Sequence, residues 1–122
     1  MKAAIYARVS THDQHTLDMQ IQAMQKYLDA RGWEVTQEIA EIGSGAKAKP
    51  KRNELIKAAR RREIDVIIVW KLDRWGRSVP NLLHTLNELN ELGVGFISIT
   101  EALDLTTASG RAMAGLLAIF AE

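Results

Sequence analysis

A short run of β-branched residues in the middle of the chain restricts the fold more than any other feature. Residues 66–70 read Val-Ile-Ile-Val-Trp, the pattern of a strand covered on both faces. Four charged residues follow within the next seven positions, namely Lys71, Asp73, Arg74 and Arg77. Because open α/β sheets bind ligands beyond the carboxyl ends of their strands, these groups are expected to line a binding edge. Three cations and one carboxylate suit an oxyanion, with Asp73 available to brace an arginine.

Strands and helices are predicted to alternate along the whole chain. Apolar residues at 4, 3 and 4 spacing predict a first helix that ends near Gly32. The other predicted elements are strands at 2–9, 33–39, 65–70 and 94–99, helices at 50–62 and 79–92, and an edge strand or turn at 100–107. This order predicts a three-layer αβα domain with a mostly parallel central sheet of about four to five strands.

Residues 42–50 are rich in small and basic residues and lack apolar periodicity, so a mobile loop is expected there.

Two of the three tryptophans, Trp33 and Trp70, are predicted to lie in the core. The pattern does not decide whether Trp75 lies in the core or on a loop surface near the site.

The last predicted helix runs from residue 108 to the end of the chain. This helix carries large apolar residues around nearly its whole circumference, at positions 113, 116, 117, 119 and 120. A small domain has few elements with which to bury such a helix, so we expect it to be an assembly surface.

Length and composition limit the class of protein. The 122 residues suit one domain, and the absence of cysteine excludes disulfides and thiolate metal sites. The start of the chain is interrupted too early by Arg8 for a signal peptide, and the longest apolar run, residues 112–121, is about half a membrane span. A cytoplasmic protein without a membrane partner is therefore expected.

Positive charge is concentrated in the middle third of the chain. Residues 42–80 contain eleven Lys or Arg against four Asp or Glu, whereas the rest of the chain contains five against eleven. Such asymmetry indicates that a polyanion faces one side of the molecule.

A serine at the end of the first strand adds a candidate nucleophile to this basic edge. Ser10 follows a predicted central strand, so it should lie on the same carboxyl edge as Asp73, Arg74 and Arg77. Arg8, Arg74 and Arg77 could neutralise a phosphodiester, with Arg52 as a further donor. Oriented cations of this kind are worth on the order of 3 kcal/mol each in a dry site, so no metal or other cofactor is required.

Other kinds of site fit the sequence less well. The histidines, His12, His15 and His84, have no orienting acid nearby, and each is more often a surface residue. The glycines at 43 and 45 lack the spacing of a nucleotide-binding loop. Without any resemblance to a known family, the residues support two functions almost equally. The protein is either an enzyme that acts on a phosphodiester or a non-catalytic α/β module that binds nucleic acid or a phospholigand.

Several motifs together resemble one known family, the serine site-specific recombinases of the resolvase/invertase type. The resemblance runs from about residue 3 to the last residue. It is carried by residues 6–11 (Tyr-Ala-Arg-Val-Ser-Thr), Gln14, Gln20, residues 43–45 with Arg52, residues 69–74 (Val-Trp-Lys-Leu-Asp-Arg), residues 76–78 and residues 106–111. Trp75 departs from the family, which usually has leucine there.

The resemblance implies a catalytic domain with defined site residues. Ser10 would be the nucleophile that joins a DNA 5′ phosphate and releases a 3′ hydroxyl, without metal or nucleotide. Phosphate-binding roles would fall to Arg8, Arg74, Arg77 and Arg52, with Asp73 as a partner. Supporting roles would fall to Tyr6, Gln14, Gln20, Ser44 and Lys71. The proton acceptor for Ser10 stays open between an arginine, Asp73 and water.

The resemblance also implies partners and a domain organisation. Double-stranded DNA is the expected substrate, with a homodimer through helix 108–122 and a tetramer of the full-length protein at synapsis. Residues 1–122 are expected to be a catalytic domain cut within its last helix, without the DNA-binding domain and unable to recombine DNA by themselves. Whether the parent protein resolves, inverts or integrates DNA is left open.

Overall fold

A five-stranded sheet forms the centre of the structure. The computed structural model describes residues 1–42, 50–75, 79–112 and 115, and only the backbone of residues 11–13, 50, 73, 74 and 79. The strands are β1 (Lys2–Val9), β2 (Glu34–Ile42), β3 (Val66–Val69), β4 (Gly95–Ser98) and β5 (Leu103–Asp104). The helices are α1 (Leu17–Ala30), α2 (Pro50–Arg60), α3 (Leu72–Trp75) and α4 (Val79–Glu91), with a 3-10 helix at Thr11–Thr16.

The order of strands across the sheet is β2-β1-β3-β4-β5. The first four strands of the chain run parallel, and β5 pairs antiparallel to β4 at the edge. The chain passes from β1 outward to β2, then returns to the other side of β1 to form β3. The carboxyl ends of β1 and β3 therefore flank a topological switch point, where open α/β sheets form their ligand crevice.

Helices cover both faces of the sheet, which confirms the predicted three-layer αβα fold. On one face, here called the Trp75 face, Tyr6 of β1 packs with Trp75 and with apolar residues of α2 and α4. On the opposite face, Ile5 of β1 packs with Met24 and Leu28 of α1. The alternation of side chains along a strand sends Tyr6 and Ile5 to opposite layers.

Glycines end two of the helices as the sequence predicts. Gly32 has φ +72° after α1, and Gly93 has φ +76° after α4, both in the left-handed region that favours glycine. The sequence predicts that Thr11 or Asp13 caps the first helix, but Thr11–Thr16 forms a 3-10 helix and the α-helix begins at Leu17. The polar residues of this segment offer no apolar face that would hold a longer α-helix on the sheet.

The burial of the three tryptophans differs in part from the prediction. Trp75, which the sequence left open, is fully buried. Trp33 and Trp70 pack against the core only at its margin and stay half-buried, so their predicted core positions are only partly right. The short helix α3 turns Trp75 back under the sheet, where its ring meets Phe96 edge-on with centroids 5.5 Å apart.

The chain enters its last helix through a turn built on Asp104. One carboxylate oxygen of Asp104 accepts hydrogen bonds from the backbone N–H and the hydroxyl of Thr106, and the other pairs with Arg31 at 3.0 Å. Residues 108–112 are helical, and a Cβ at Gly110 would overlap the Asp104 carbonyl. The predicted apolar assembly surface at positions 113 and 116–120 lies outside the described residues.

Candidate active site

Three predicted site residues, each two positions from the next, lie on one face of the sheet at the end of β1. Tyr6 lies on the Trp75 face, and the two-residue period of a strand places Arg8 on the same face. Ser10 follows with φ −72° and ψ 165°, an extended conformation that continues the alternation. Arg8 and Ser10 are half-buried. The candidate nucleophile and an arginine therefore lie side by side at the carboxyl edge of the central strand.

The hydroxyl of Tyr6 donates a hydrogen bond to the carboxylate of Glu41 on β2. Burial raises the pKa of Tyr6, and the adjacent Glu41 carboxylate raises the pKa further, by accepting this bond and through its charge. The positive charges of Arg8 and Arg52 act on the same hydroxyl in the opposite direction. Tyr6, Arg8, Glu41 and Arg52 thus form one electrostatic group, here called the Tyr6 cluster.

Arg52 reaches this cluster from α2, which covers the Trp75 face. Its side chain is buried, with 9% of its surface exposed. The guanidinium carbon lies 5.7 Å from the centroid of the Trp75 ring. A buried guanidinium on the same face as Tyr6 and Arg8 adds a second positive charge to the candidate site.

The short helix that follows β3 packs against β1. The rings of Tyr6 and Trp75 contact edge-on with centroids 5.4 Å apart, which brings α3 against β1. Asp73 and Arg74 lie in α3, and only their backbone is described. The predicted roles of Ser44 and Arg77 also fall on residues outside the described ranges.

The remaining predicted supporting residues lie in different environments. Gln20 is buried in α1 and donates to the Thr16 hydroxyl at 3.2 Å. Gln14 in the 3-10 helix and Lys71 after β3 are exposed. No observation tests the roles predicted for these three residues, so they stay predictions.

Two acidic residues at this edge of the sheet were not identified from the sequence. Glu41 was missed because its contact with Tyr6 spans 35 residues of the chain and leaves no local pattern. Glu101 was missed for a similar reason: one of its carboxylate oxygens accepts from the Leu72 N–H at 3.3 Å and from the hydroxyls of Ser98 and Thr100. Glu101 thereby ties the loop after β4 to the start of α3.

The carboxylate of Glu101 is stabilised in its charged form. Partial burial opposes ionisation, but the hydrogen bonds from Ser98, Thr100 and the Leu72 N–H outweigh it and hold the pKa of Glu101 below its ordinary value. The carboxylate therefore accepts bonds as an anion and does not donate a proton there at neutral pH.

Across the described ranges, no group of three or more His, Cys, Asp or Glu side chains is placed to hold a metal ion. His15 and His84 are exposed. No helix within the described ranges is long and apolar enough to cross a membrane.

The raised pKa of Tyr6 predicts a pH dependence of stability. An unfolded tyrosine loses its proton near pH 10, whereas folded Tyr6 retains it to higher pH. The contribution of Tyr6 to the free energy of unfolding is therefore complete below about pH 10. It is lost as the pH rises further, because the unfolded state then binds fewer protons than the folded state. We expect Tyr6→Phe to flatten the alkaline fall in the free energy of unfolding, measured by urea denaturation from about pH 8 to pH 11.

Tyr27 supplies the control, since the chain has two tyrosines and Tyr27 packs on the opposite face. Tyr27→Phe leaves Tyr6 in place and should keep the alkaline fall. Equal flattening in both variants would contradict the assignment to Tyr6.

Fold and site together define a class of protein. It is a three-layer α/β domain in which Ser10 and Arg8 lie at the carboxyl edge of a mostly parallel sheet, beside its switch point, with the buried Arg52 on the same face. Comparison with known proteins places the chain within that class.

Known proteins match nearly the whole chain. The family model described as Resolvase, N terminal domain, matches residues 3–122. The Tn552 transposon resolvase of Staphylococcus aureus is 41% identical over 120 residues, which cover 96% of this chain and 56% of the resolvase. A DNA-invertase of Escherichia phage P1 is 35% identical over 119 residues, covering 96% of this chain and 59% of the invertase.

Solved structures match the fold as well. The N-terminal catalytic domain of TP901-1 integrase is 35% identical, with a TM-score of 0.88 and coverage of 98% of this chain and 93% of that domain. A resolvase family site-specific recombinase from Streptococcus pneumoniae shares the fold at 21% identity and a TM-score of 0.82, covering 98% of this chain and 87% of that one.

This chain belongs to the resolvase/invertase family of serine recombinases and corresponds to the N-terminal domain of that family. The family resemblance read from the sequence motifs is thereby confirmed. The chain spans between 56% and 59% of the length of the resolvase and the invertase described above.

Proposed function

We propose that residues 1–122 form the catalytic domain of a site-specific DNA recombinase, with Ser10 as the nucleophile. The observation that carries the proposal is the placement of Ser10 directly after β1, on the same face as Arg8 and the Tyr6 cluster. The membership of the family supports it, because the similar chains are named as resolvases, invertases and an integrase.

The proposed reaction exchanges one phosphoester bond for another. The Ser10 oxygen gives up its proton and attacks a phosphorus atom of the DNA backbone. A phosphoserine bond forms to the 5′ phosphate, the bond to the 3′ oxygen breaks, and that oxygen leaves as a hydroxyl after taking up a proton. Rejoining reverses these steps with the 3′ hydroxyl of another strand, so the exchange needs no external energy source.

The arginines are proposed to stabilise the charge that develops on the phosphate. Arg8 and Arg52 bring two guanidinium groups to the Trp75 face, and Arg74 and Arg77 are proposed to add two more from the segment after β3, with Asp73 as their partner. Guanidinium forks match two phosphate oxygens at once, which makes them suited to this task.

Double-stranded DNA is the proposed substrate, and a homodimer through the helix that begins at residue 108 is the proposed assembly. The basic residues concentrated between positions 42 and 80 support an interaction with the DNA backbone. A tetramer at synapsis is proposed for the full-length protein.

Replacement of Ser10 tests the proposed function. The protein that carries this chain is incubated with a pool of random DNA duplexes, quenched with detergent and analysed for covalent protein–DNA adducts. We expect an adduct, with mass spectrometry locating a nucleotide on the peptide that contains Ser10, and no adduct from Ser10→Ala. Ser109→Ala, which removes an exposed hydroxyl elsewhere, should still form the adduct.

Two results would contradict the proposal. An adduct that persists in Ser10→Ala would place the nucleophile on another residue. Salt-sensitive DNA binding without any adduct would support the rival function, a non-catalytic module that binds nucleic acid.

A further inference from the structure

Two of the groups that hold Arg52 in the interior are neutral hydrogen-bond acceptors. One terminal nitrogen of its guanidinium, Nη1, donates to the backbone carbonyl of Trp75 at 2.9 Å and to the side-chain oxygen of Asn81 at 2.8 Å. A buried charged group needs such hydrogen bonds, since burial without them would cost several kcal/mol. The position of Arg52 therefore depends on these acceptors.

The two acceptors lie on either side of the segment that carries Arg77. Trp75 is the last residue of α3, and Asn81 lies in the first turn of α4. The guanidinium of Arg52 thus joins α2 to both ends of residues 76–78. Of the two acceptors, only Asn81 bonds Arg52 through its side chain, so only this contact depends on the identity of the residue.

The neutrality of Asn81 is chemically significant. A carboxylate at this position would pair with the guanidinium and largely cancel its charge toward other groups. The amide oxygen accepts a hydrogen bond without supplying a negative charge. The positive charge of Arg52 acts on the Tyr6 hydroxyl, and Asn81 does not offset that charge.

We propose that Asn81 is a positioning residue for Arg52: its amide oxygen holds the guanidinium on the Trp75 face and leaves the charge available to a DNA phosphate. This inference rests on the proposed function, in which Arg52 contacts the phosphate. In this proposal Asn81 contacts neither the DNA nor Ser10 and acts through Arg52.

A double-mutant cycle tests the inference. The rate of adduct formation is measured in single-turnover experiments at saturating DNA for the unsubstituted protein, Asn81→Ala, Arg52→Ala and the double variant. We expect Asn81→Ala to lower the rate by about tenfold, in the range found for residues in direct contact. In the Arg52→Ala background the same change should have no further effect.

Further variants separate positioning from folding. Asn90→Ala removes an exposed asparagine at the other end of α4 and should leave the rate unchanged. Asn81→Asp should lower the rate without lowering the thermal stability, because it keeps the contact and neutralises Arg52. The nitrogen NMR signal of the Arg52 guanidinium should shift in Asn81→Ala and stay in place in Asn90→Ala.

The outcomes distinguish the inference from the proposed function. A loss of rate in Asn81→Ala that persists undiminished in the Arg52→Ala background, or full activity of Asn81→Asp, would overturn the inference while Ser10 still forms its adduct. Absence of an adduct from the unsubstituted protein would overturn the proposed function and the inference together.

Discussion

Arg8→Ala is expected to lower the rate of DNA cleavage by about 10²–10³-fold, the effect of removing one group that stabilises transition-state charge. Arg8 lies in β1, two residues before Ser10 and on the same face of the sheet, in a half-buried position where its charge is screened less than at the surface. The loss should appear in the single-turnover rate at saturating DNA, because the proposed interaction strengthens as charge develops on the phosphate.

Arg61→Ala is the matched control for this prediction. Arg61 is exposed and pairs with Glu63 just before β3, at the amino edge of the sheet and away from Ser10. Both changes remove one positive charge, so both should weaken the general attraction to DNA. Equal rate losses at saturating DNA in Arg8→Ala and Arg61→Ala would mean that only net charge matters and would contradict a phosphate site at Arg8.

Trp75→Ala is expected to lower the free energy of unfolding by about 3–5 kcal/mol, the usual effect of deleting a buried large aromatic side chain. Trp75 is fully buried, contacts the rings of Tyr6 and Phe96, and donates from its indole nitrogen to the Thr85 hydroxyl at 2.9 Å. The change would leave a cavity between β1, β4 and α4. Urea denaturation, with the midpoint and the slope compared, measures the loss.

Trp70→Ala provides the comparison within the same part of the chain. Trp70 follows β3 directly but is only half-buried at the margin of the opposite face. Its replacement should therefore lower the stability less than Trp75→Ala. Trp75→Leu, which installs the residue usual in the family, should retain part of the packing but lose the bond to Thr85. A stability loss in Trp70→Ala as large as in Trp75→Ala would contradict the central role assigned to Trp75.

Much of the secondary structure could be predicted from the sequence because it depends on neighbours within a few residues. The β-branched run at Val66–Val69 indicates a buried strand, and Leu86 and Leu89 lie buried as the helical spacing predicts. The same spacing predicts that Leu82 and Leu83 of α4 also face inward, but these two residues are only half-buried. The spacing identifies the apolar face of a helix but not how closely the sheet approaches each of its turns.

The candidate site could be predicted only in part. The sequence identifies Arg8 and Ser10 at the end of a central strand and Arg52 as a further phosphate donor, and the family resemblance implies a role for each of them. Neither argument predicts that Arg52 bonds the Trp75 carbonyl and Asn81, or that Tyr6 bonds Glu41, because these contacts join residues between 23 and 35 positions apart. Such pairs meet only when the sheet and α2 are assembled.

By itself, therefore, the sequence determined the order of strands and helices, the concentration of basic residues and the family, since local periodicity and short motifs specify these. The tertiary structure alone decided the strand order β2-β1-β3-β4-β5, and with it the switch point beside Ser10. It also decided that Trp75 and not Trp70 fills the core. The physical reason is that burial and hydrogen bonding between distant segments depend on which layers meet, and no spacing within one segment encodes that choice.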